Sequence, residues 1–196
     1  DQKFRYTGDE IVWAVEGKKG EKGKRWNKDL SVEEQKRFTE ETHARTLKYI
    51  SDHADDDKPF YLDYWFHGPN IIAKARYGRE ANSARANGFG DFVEHVDVMV
   101  AEVIEAVEKA GIAENTLIIL MADNGPFKEI YPEEAFQAIF SGGKGSFLEG
   151  GVRVPAFASW PGVIEKGSVA GDIIHVSDLF TTFARIGGGM EYIPTD

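Results

Sequence analysis

Asp123, Asn124, Lys144 and His67 have the chemistry to hold a small anion and a divalent cation together. Asp123 and Asn124 stand in TLIILMADNGP (Thr116 to Pro126), directly after an apolar run. They offer a carboxylate and an amide oxygen, hard donors that suit Ca²⁺ or Mg²⁺ rather than a thiophilic metal. Two such residues cannot complete a Ca²⁺ shell of roughly six to eight oxygens, so further ligands must come from elsewhere. Lys144 stands in GGKGSFLEGGVRVP (Gly142 to Pro155), an ammonium whose glycine neighbours let an anion come close to the backbone. His67 follows the aromatic run FYLDYWF (Phe60 to Phe66), and its imidazole can hand a proton to a leaving oxygen near neutral pH. Each group also has a plain reading. D-N-G-P is strong turn sequence, a lysine between glycines suits a solvated loop, and a histidine in a turn bonds backbone.

For these groups to meet, the surrounding elements must bring them to one place. Ser31 reads as an N-cap with Glu34 completing a capping box, and the helix that follows runs to about Asp52, with Phe38, Leu47 and Ile50 facing inward. Asp55 to Pro59 (DDDKP) breaks it, and Phe60 to Phe66 reads as a strand ending in the turn His67-Gly68-Pro69-Asn70. Residues 71–90 read as loop or broken helix. Asp91 reads as the cap of a second helix, on which Phe92, Val96, Val100, Val103 and Val107 recur at helical spacing, and Gly111 is placed to close it. Thr116 to Ala122 is apolar at nearly every position, the pattern of a strand covered on both faces in a parallel sheet. Loop follows over 127–150, with a short helix around Pro132 to Phe140. Pro155 to Trp160 reads as a third strand, and Asp178 to Ile186 as a helix stopped by three glycines. The order is that of an α/β protein, in which ligands gather beyond the carboxyl ends of the strands. If the strands run parallel, His67 and Asp123-Asn124 share one edge of the sheet. The histidines His43, His53, His95 and His175 read as structural, the first two on a surface helix.

Composition narrows the classes. The 196 residues carry a net charge of −10, which as a whole repels nucleic acid, and no apolar run is long enough to cross a membrane. The absence of cysteine excludes disulfides, thiolate metal sites and a cysteine nucleophile within the chain. A Walker loop is excluded because Gly145 follows Lys144 where Ser or Thr is needed. One exception to the acidic balance is Lys18 to Lys28 (KKGEKGKRWNK), with six cations and one acid.

Taken in order, several segments resemble the type I sulfatases of the alkaline phosphatase superfamily. DKPFYLDYWFHGPN resembles the family strand that ends in H-x-P. FVEHVDVMVAEVIEAVEKAGIAENTLIILMADNGP resembles its long helix, strand and D-N-G. GGKGSFLEGGVRVPAFASWPG carries the G-K-G lysine, the E-G-G-x-R-x-P turn and W-P-G, and VSDLFTTFARIGG resembles the D-L-x-x-T helix. The resemblance covers most of residues 57–196. It implies part of an α/β/α sandwich around a mixed, largely parallel sheet, and hydrolysis of sulfuric esters. It further implies that Asp123 and Asn124 ligate Ca²⁺, with Mg²⁺ the second choice, that His67 stands beside the leaving oxygen, and that Lys144 binds sulfate and leaving group.

The chain also departs from the family. The formylglycine nucleophile arises from C/S-x-P-x-R, and no such motif occurs in residues 1–196. Ala122 precedes D-N-G where the family often has Ser, and Asn70 replaces the second histidine of H-x-P-H. The expectation is a single partial catalytic domain over 1–196, its later part, with residues 1–30 an irregular basic region and the formylglycine in a preceding segment. Such a chain is expected to be inactive alone. Two other readings stay open: a phosphoric or phosphonic monoester hydrolase of the same superfamily, and a non-catalytic sulfatase-like protein that binds glycans through Lys18 to Lys28. The expected partner is a sulfated small molecule or glycan, with no nucleic acid and no membrane. The sequence carries no signal for oligomeric state, and family analogy leans to a periplasmic or secreted location.

Overall fold

The computed structural model describes residues 13–16, 22, 24–27, 32–66, 87–126 and 139–193. Two long helices form its best-packed part. Helix α1 (Val32–His53) lies against α2 (Asn87–Lys109), and Ile50, Met99 and Val107 are buried between them. Ile50 and Val107 are among the positions whose spacing predicts an inward face. The expected Ser31 cap lies outside the described residues. The expected Asp91 cap is corrected: α2 begins at Asn87 and runs through Gly88 and Gly90. Glycine costs a helix about 1 kcal/mol relative to alanine, and the apolar stripe further along α2 offsets it. Gly111 closes the helix as expected. Its φ is +73°, its N–H donates to Glu108 O at 2.9 Å, and Ile112 N–H donates to Val107 O at 3.3 Å. This left-handed closure satisfies two otherwise unpaired carbonyls.

Residues 60–66 are not a paired strand among the described residues, contrary to expectation. Their pleat is nevertheless that of a strand: Phe60, Leu62, Tyr64 and Phe66 are half-buried while Tyr61, Asp63 and Trp65 are exposed. One face meets α1, through Phe60 edge-on to Tyr49 and the Tyr64 hydroxyl 3.1 Å from His43 Nδ1. The other face meets a helix that comes later in the chain, through Tyr61 and Phe183, ring centroids 5.4 Å apart. Extended chain thus lies between two helices.

His43 is not on the surface. It is 9% exposed, and its Nε2 lies 2.7 Å from Glu102 Oε2 of α2. The structural reading of this histidine holds, because both ring nitrogens have partners.

Residues 1–30 are not wholly irregular. Strands β1 (Trp13–Glu16) and β2 (Lys24–Asn27) pair antiparallel, with Trp13 opposite Asn27 and Glu16 opposite Lys24. Tryptophan and valine favour strands, a preference masked in the sequence by the surrounding lysines and glycines.

After α2 come a 3-10 turn (Ala113–Asn115), β3 (Ile118–Met121), the one-turn helix α3 (Glu149–Val152), β4 (Ala156–Ser159), α4 (Val176–Ile186) and a last 3-10 turn (Met190–Tyr192). Strands β3 and β4 pair antiparallel, Ile118 opposite Ser159 and Met121 opposite Ala156. The expectation that β3 is covered on both faces is corrected, since it is half-buried and Met121 is exposed. Helix α4 starts two residues before the expected Asp178. His175 is its N-cap and Asp178 occupies the third position of a capping box: His175 N–H donates to Asp178 Oδ2 at 2.7 Å, and Ser177 N–H donates to His175 Nδ1 at 3.2 Å. The expected helix around 132–140 falls largely outside the described residues.

Candidate functional site

The antiparallel pairing of β3 with β4 builds the site. It sets the end of β3, where Asp123 and Asn124 follow, beside the start of β4, where Arg153 to Pro155 precede. The chain between is an excursion whose two ends leave and return at one place. Its closure continues the ladder: Ala122 N–H donates to Pro155 O at 3.2 Å, and Gly125 N–H donates to Gly151 O at 3.0 Å. A third segment joins them, as Lys144 N–H donates to Pro126 O at 2.9 Å. Three pieces of backbone, carrying D-N-G-P, G-K-G and E-G-G-V-R-V-P, thus cross within hydrogen-bonding distance.

Glycine is what permits the crossing. A Cβ on Gly125 would land on the carbonyl oxygen of Gly150. A Cβ on Gly150 would lie 2.6 Å from the carbonyl oxygens of Ser141 and Gly142. Gly150 N–H in turn donates to Ser141 O at 2.7 Å, closing the loop that carries Lys144. Gly142 and Gly145, with φ of +89° and +83°, turn the chain on either side of that lysine.

The side chains follow from this frame. The Asp123 carboxylate is exposed and has no hydrogen-bond or ion-pair partner among the described residues. Asn124 is half-buried and its Nδ2 donates to Gly125 O at 2.9 Å, which occupies the donor end of the amide and leaves Oδ1 as the end a cation would use. Lys144 is exposed. Asp123, Asn124 and Lys144 are therefore brought to one loop cluster, whereas His67 lies outside the described residues. A pair of oxygen donors fits a hard divalent cation in kind but not in number. No group of three or more His, Cys, Asp or Glu side chains gathers as a metal site among the described residues.

One residue that reading the sequence for chemistry passes over is Arg153. Its Nε lies 2.6 Å from Glu149 Oε2, and its guanidinium sits 4.8 Å from the centre of the Phe140 ring. The signal for the first contact was present in the four-residue spacing of Glu149 and Arg153.

The helices, the strands and the loop cluster beyond β3 make an α/β fold. The Sulfatase family model matches residues 11–189, and the chain belongs to that family. It is 34% identical to arylsulfatase A of Homo sapiens over 164 residues, which cover 82% of this chain and 32% of that protein. It is 32% identical to N-acetylgalactosamine-6-sulfatase of Rattus norvegicus over 164 residues, 76% of this chain and 30% of that protein. Among solved structures it resembles the PsFucS1 sulfatase from Pseudoalteromonas sp., with a TM-score of 0.72 and 27% identity over 92% of this chain and 36% of that one. The chain thus spans about a third of the length of these relatives. The family implies a metal ion and a formylglycine in the complete site.

Proposed function

We propose that the polypeptide carrying this chain hydrolyses sulfate monoesters, and that Asp123, Asn124 and Lys144 form one side of its active site. The observation that carries this reading is the hydrogen bond from Lys144 N–H to Pro126 O, which ties the lysine's backbone beside the D-N-G-P turn. An aspartate, an amide and an ammonium anchored on crossing backbone are preorganised charge, and preorganised charge is the main source of catalysis when charge develops on a leaving group.

In this reading Asp123 and Asn124 would hold Ca²⁺ through oxygen atoms, together with ligands from outside the described residues, and the ion when bound would supply positive charge to the sulfate. Lys144 contacts a sulfate oxygen and the bridging oxygen, and its positive charge stabilises the negative charge that grows there as the S–O bond lengthens. His67, assigned by the sequence resemblance, donates a proton to the departing oxygen. The nucleophile is a formylglycine supplied from outside residues 1–196, since these contain no C/S-x-P-x-R. The substrate is a sulfated small molecule or a sulfated glycan; the relative named N-acetylgalactosamine-6-sulfatase supports the second. Family analogy also supports a periplasmic or secreted location.

The test is the rate of the complete polypeptide on an aryl sulfate and on the matching aryl phosphate, before and after chelation and Ca²⁺ return. The proposal expects the sulfate to react faster and Ca²⁺ to restore the lost rate. Preference for the phosphate would transfer the chain to the phosphoric or phosphonic ester hydrolases. Binding of sulfated glycan without turnover would support the non-catalytic reading.

A further inference from the structure

We infer that Arg153 is a positioning residue for Lys144. The proposal rests on the sulfatase reading above and adds a residue that this reading leaves out. Lys144 lies in the loop between Phe140 and Glu149, and Arg153 touches both of those residues. Its guanidinium packs 4.8 Å from the centre of the Phe140 ring, at the loop's entrance. Its Nε pairs with Glu149 Oε2 at 2.6 Å, at the loop's exit.

Backbone bonds close the loop at its base, through Gly150 N–H to Ser141 O at 2.7 Å, and hold Lys144 N–H to Pro126 O at 2.9 Å. These bonds fix where the loop is pinned. A turn bond, Ser146 N–H to Gly143 O at 2.9 Å, closes the tip around Lys144, with Gly142 and Gly145 at positive φ on either side of the lysine. Arg153 adds a side-chain brace between the entrance and the exit. It reaches from α3 across both arms, and a planar guanidinium can pair with a carboxylate in its plane while stacking an aromatic ring on its face. A lysine would keep the charge and lose that geometry. The backbone of Arg153 is itself held, its N–H donating to Glu149 O at 2.8 Å, so the brace starts from a fixed point.

Both contacts are exposed, with Arg153 and Glu149 side chains at 57% and 58% relative accessibility. Exposed ion pairs and exposed cation–π contacts stabilise folds little. The arrangement therefore matters more for where the Lys144 ammonium stands than for whether the protein folds. Misplacing a reacting group by about 1 Å can cost on the order of a hundredfold in rate.

The experiment is a double-substitution cycle in the complete polypeptide, comparing Lys144→Ala, Arg153→Gln and the two combined on an aryl sulfate, with Arg153→Lys as the conservative variant. Arg153→Gln is expected to lower kcat by about 10- to 100-fold while changing KM little, and Arg153→Lys to recover only part of the loss. In the Lys144→Ala background, Arg153→Gln should cost nothing more, because the residue it positions is gone. Losses that multiply in the double variant would overturn the proposal, as would a full rescue by Arg153→Lys. An unchanged rate in Lys144→Ala alone would instead reject the role given to Lys144 under the proposed function, a different failure visible in the same data. Thermal unfolding of each variant accompanies the kinetics; a large drop in unfolding temperature for Arg153→Gln would assign the residue to stability and reject positioning.

Discussion

At the scale of single residues, the sharpest contrast lies between Asp123 and its neighbours in the turn. Asp123 is exposed and has no hydrogen-bond or ion-pair partner among the described residues, so the described fold gains no contact from its carboxylate. Surface substitutions of that kind usually change stability by within about 0.5 kcal/mol. Asp123→Asn should therefore leave the urea midpoint of this chain unchanged. In the complete polypeptide the same substitution should cost at least the roughly 10- to 100-fold that even an outer partner of a metal ligand contributes, read as kcat/KM at limiting Ca²⁺. Equal losses of stability and activity would mean that the aspartate is only a turn former. Asn124 differs, because its amide already bonds Gly125 O and so shapes the turn as well as offering an oxygen. His43 shows the opposite balance. It is 9% exposed and bonded to Tyr64 and Glu102, so His43→Ala should leave Tyr64 and Glu102 without their imidazole partner and destabilise the chain by about 1–3 kcal/mol in urea unfolding.

Among the elements, two glycines separate local closure from site construction. Gly111 ends α2 at a φ of +73° with open space around its Cα, so Gly111→Ala should cost roughly 1–2 kcal/mol and nothing more. Gly125 has no such torsion to excuse it, yet a Cβ there would strike Gly150 O. Gly125→Ala should therefore cost about 1–3 kcal/mol through overpacking and also speed amide exchange at Gly125 and Lys144, whose N–H groups bind Gly151 O and Pro126 O. Exchange at those two amides unchanged from the parent chain would show that the crossing tolerates a methyl group. This pair also marks what the sequence made legible. Gly111 was readable as a helix stop because the signal is local: an apolar stripe that ends, followed by a residue free to turn left-handed. From the residues, the supposition of parallel strands joined only His67 to Asp123 and Asn124; the meeting of D-N-G-P with G-K-G was expected by resemblance alone. It arises instead from an antiparallel pair that returns the chain to its starting edge, a long-range fact that no residue near Asp123 encodes. The hairpin at Trp13–Glu16 and Lys24–Asn27 was hidden for a related reason, since lysine and glycine density reads as loop while cross-strand pairing decides. The role of Arg153 needed both contacts to be seen, and only the one to Glu149 has a spacing in sequence.

For the whole molecule, exposed apolar surface is the governing quantity. Among the described residues, the large exposed apolar side chains fall mainly in the later half: Phe147 is 99% exposed, Val169 and Ile173 are 93%, and Phe157 and Phe180 are near two-thirds. Among the described residues β3 and β4 pair only with each other, and β4 is exposed at every position, so the pair offers both a bare face and a row of backbone groups. Single apolar residues at a surface mean little, but contiguous ones together with open strand edges drive association. Net charge of −10 opposes it through repulsion, an effect that salt screens within about 8 Å at physiological ionic strength. The expected behaviour of residues 1–196 on their own is thus salt-promoted self-association with strong binding of a hydrophobic dye. Sedimentation across a concentration and salt series, with dye fluorescence alongside, measures both. Phe157→Asp should weaken association because it places a charge in the middle of the exposed strand, whereas Lys109→Gln, on the solvent side of α2, should not. A sharp 21.8 kDa monomer at all concentrations, without dye binding, would mean that these apolar faces close on one another in solution, and the exposed β4 surface would then be no feature of the folded chain.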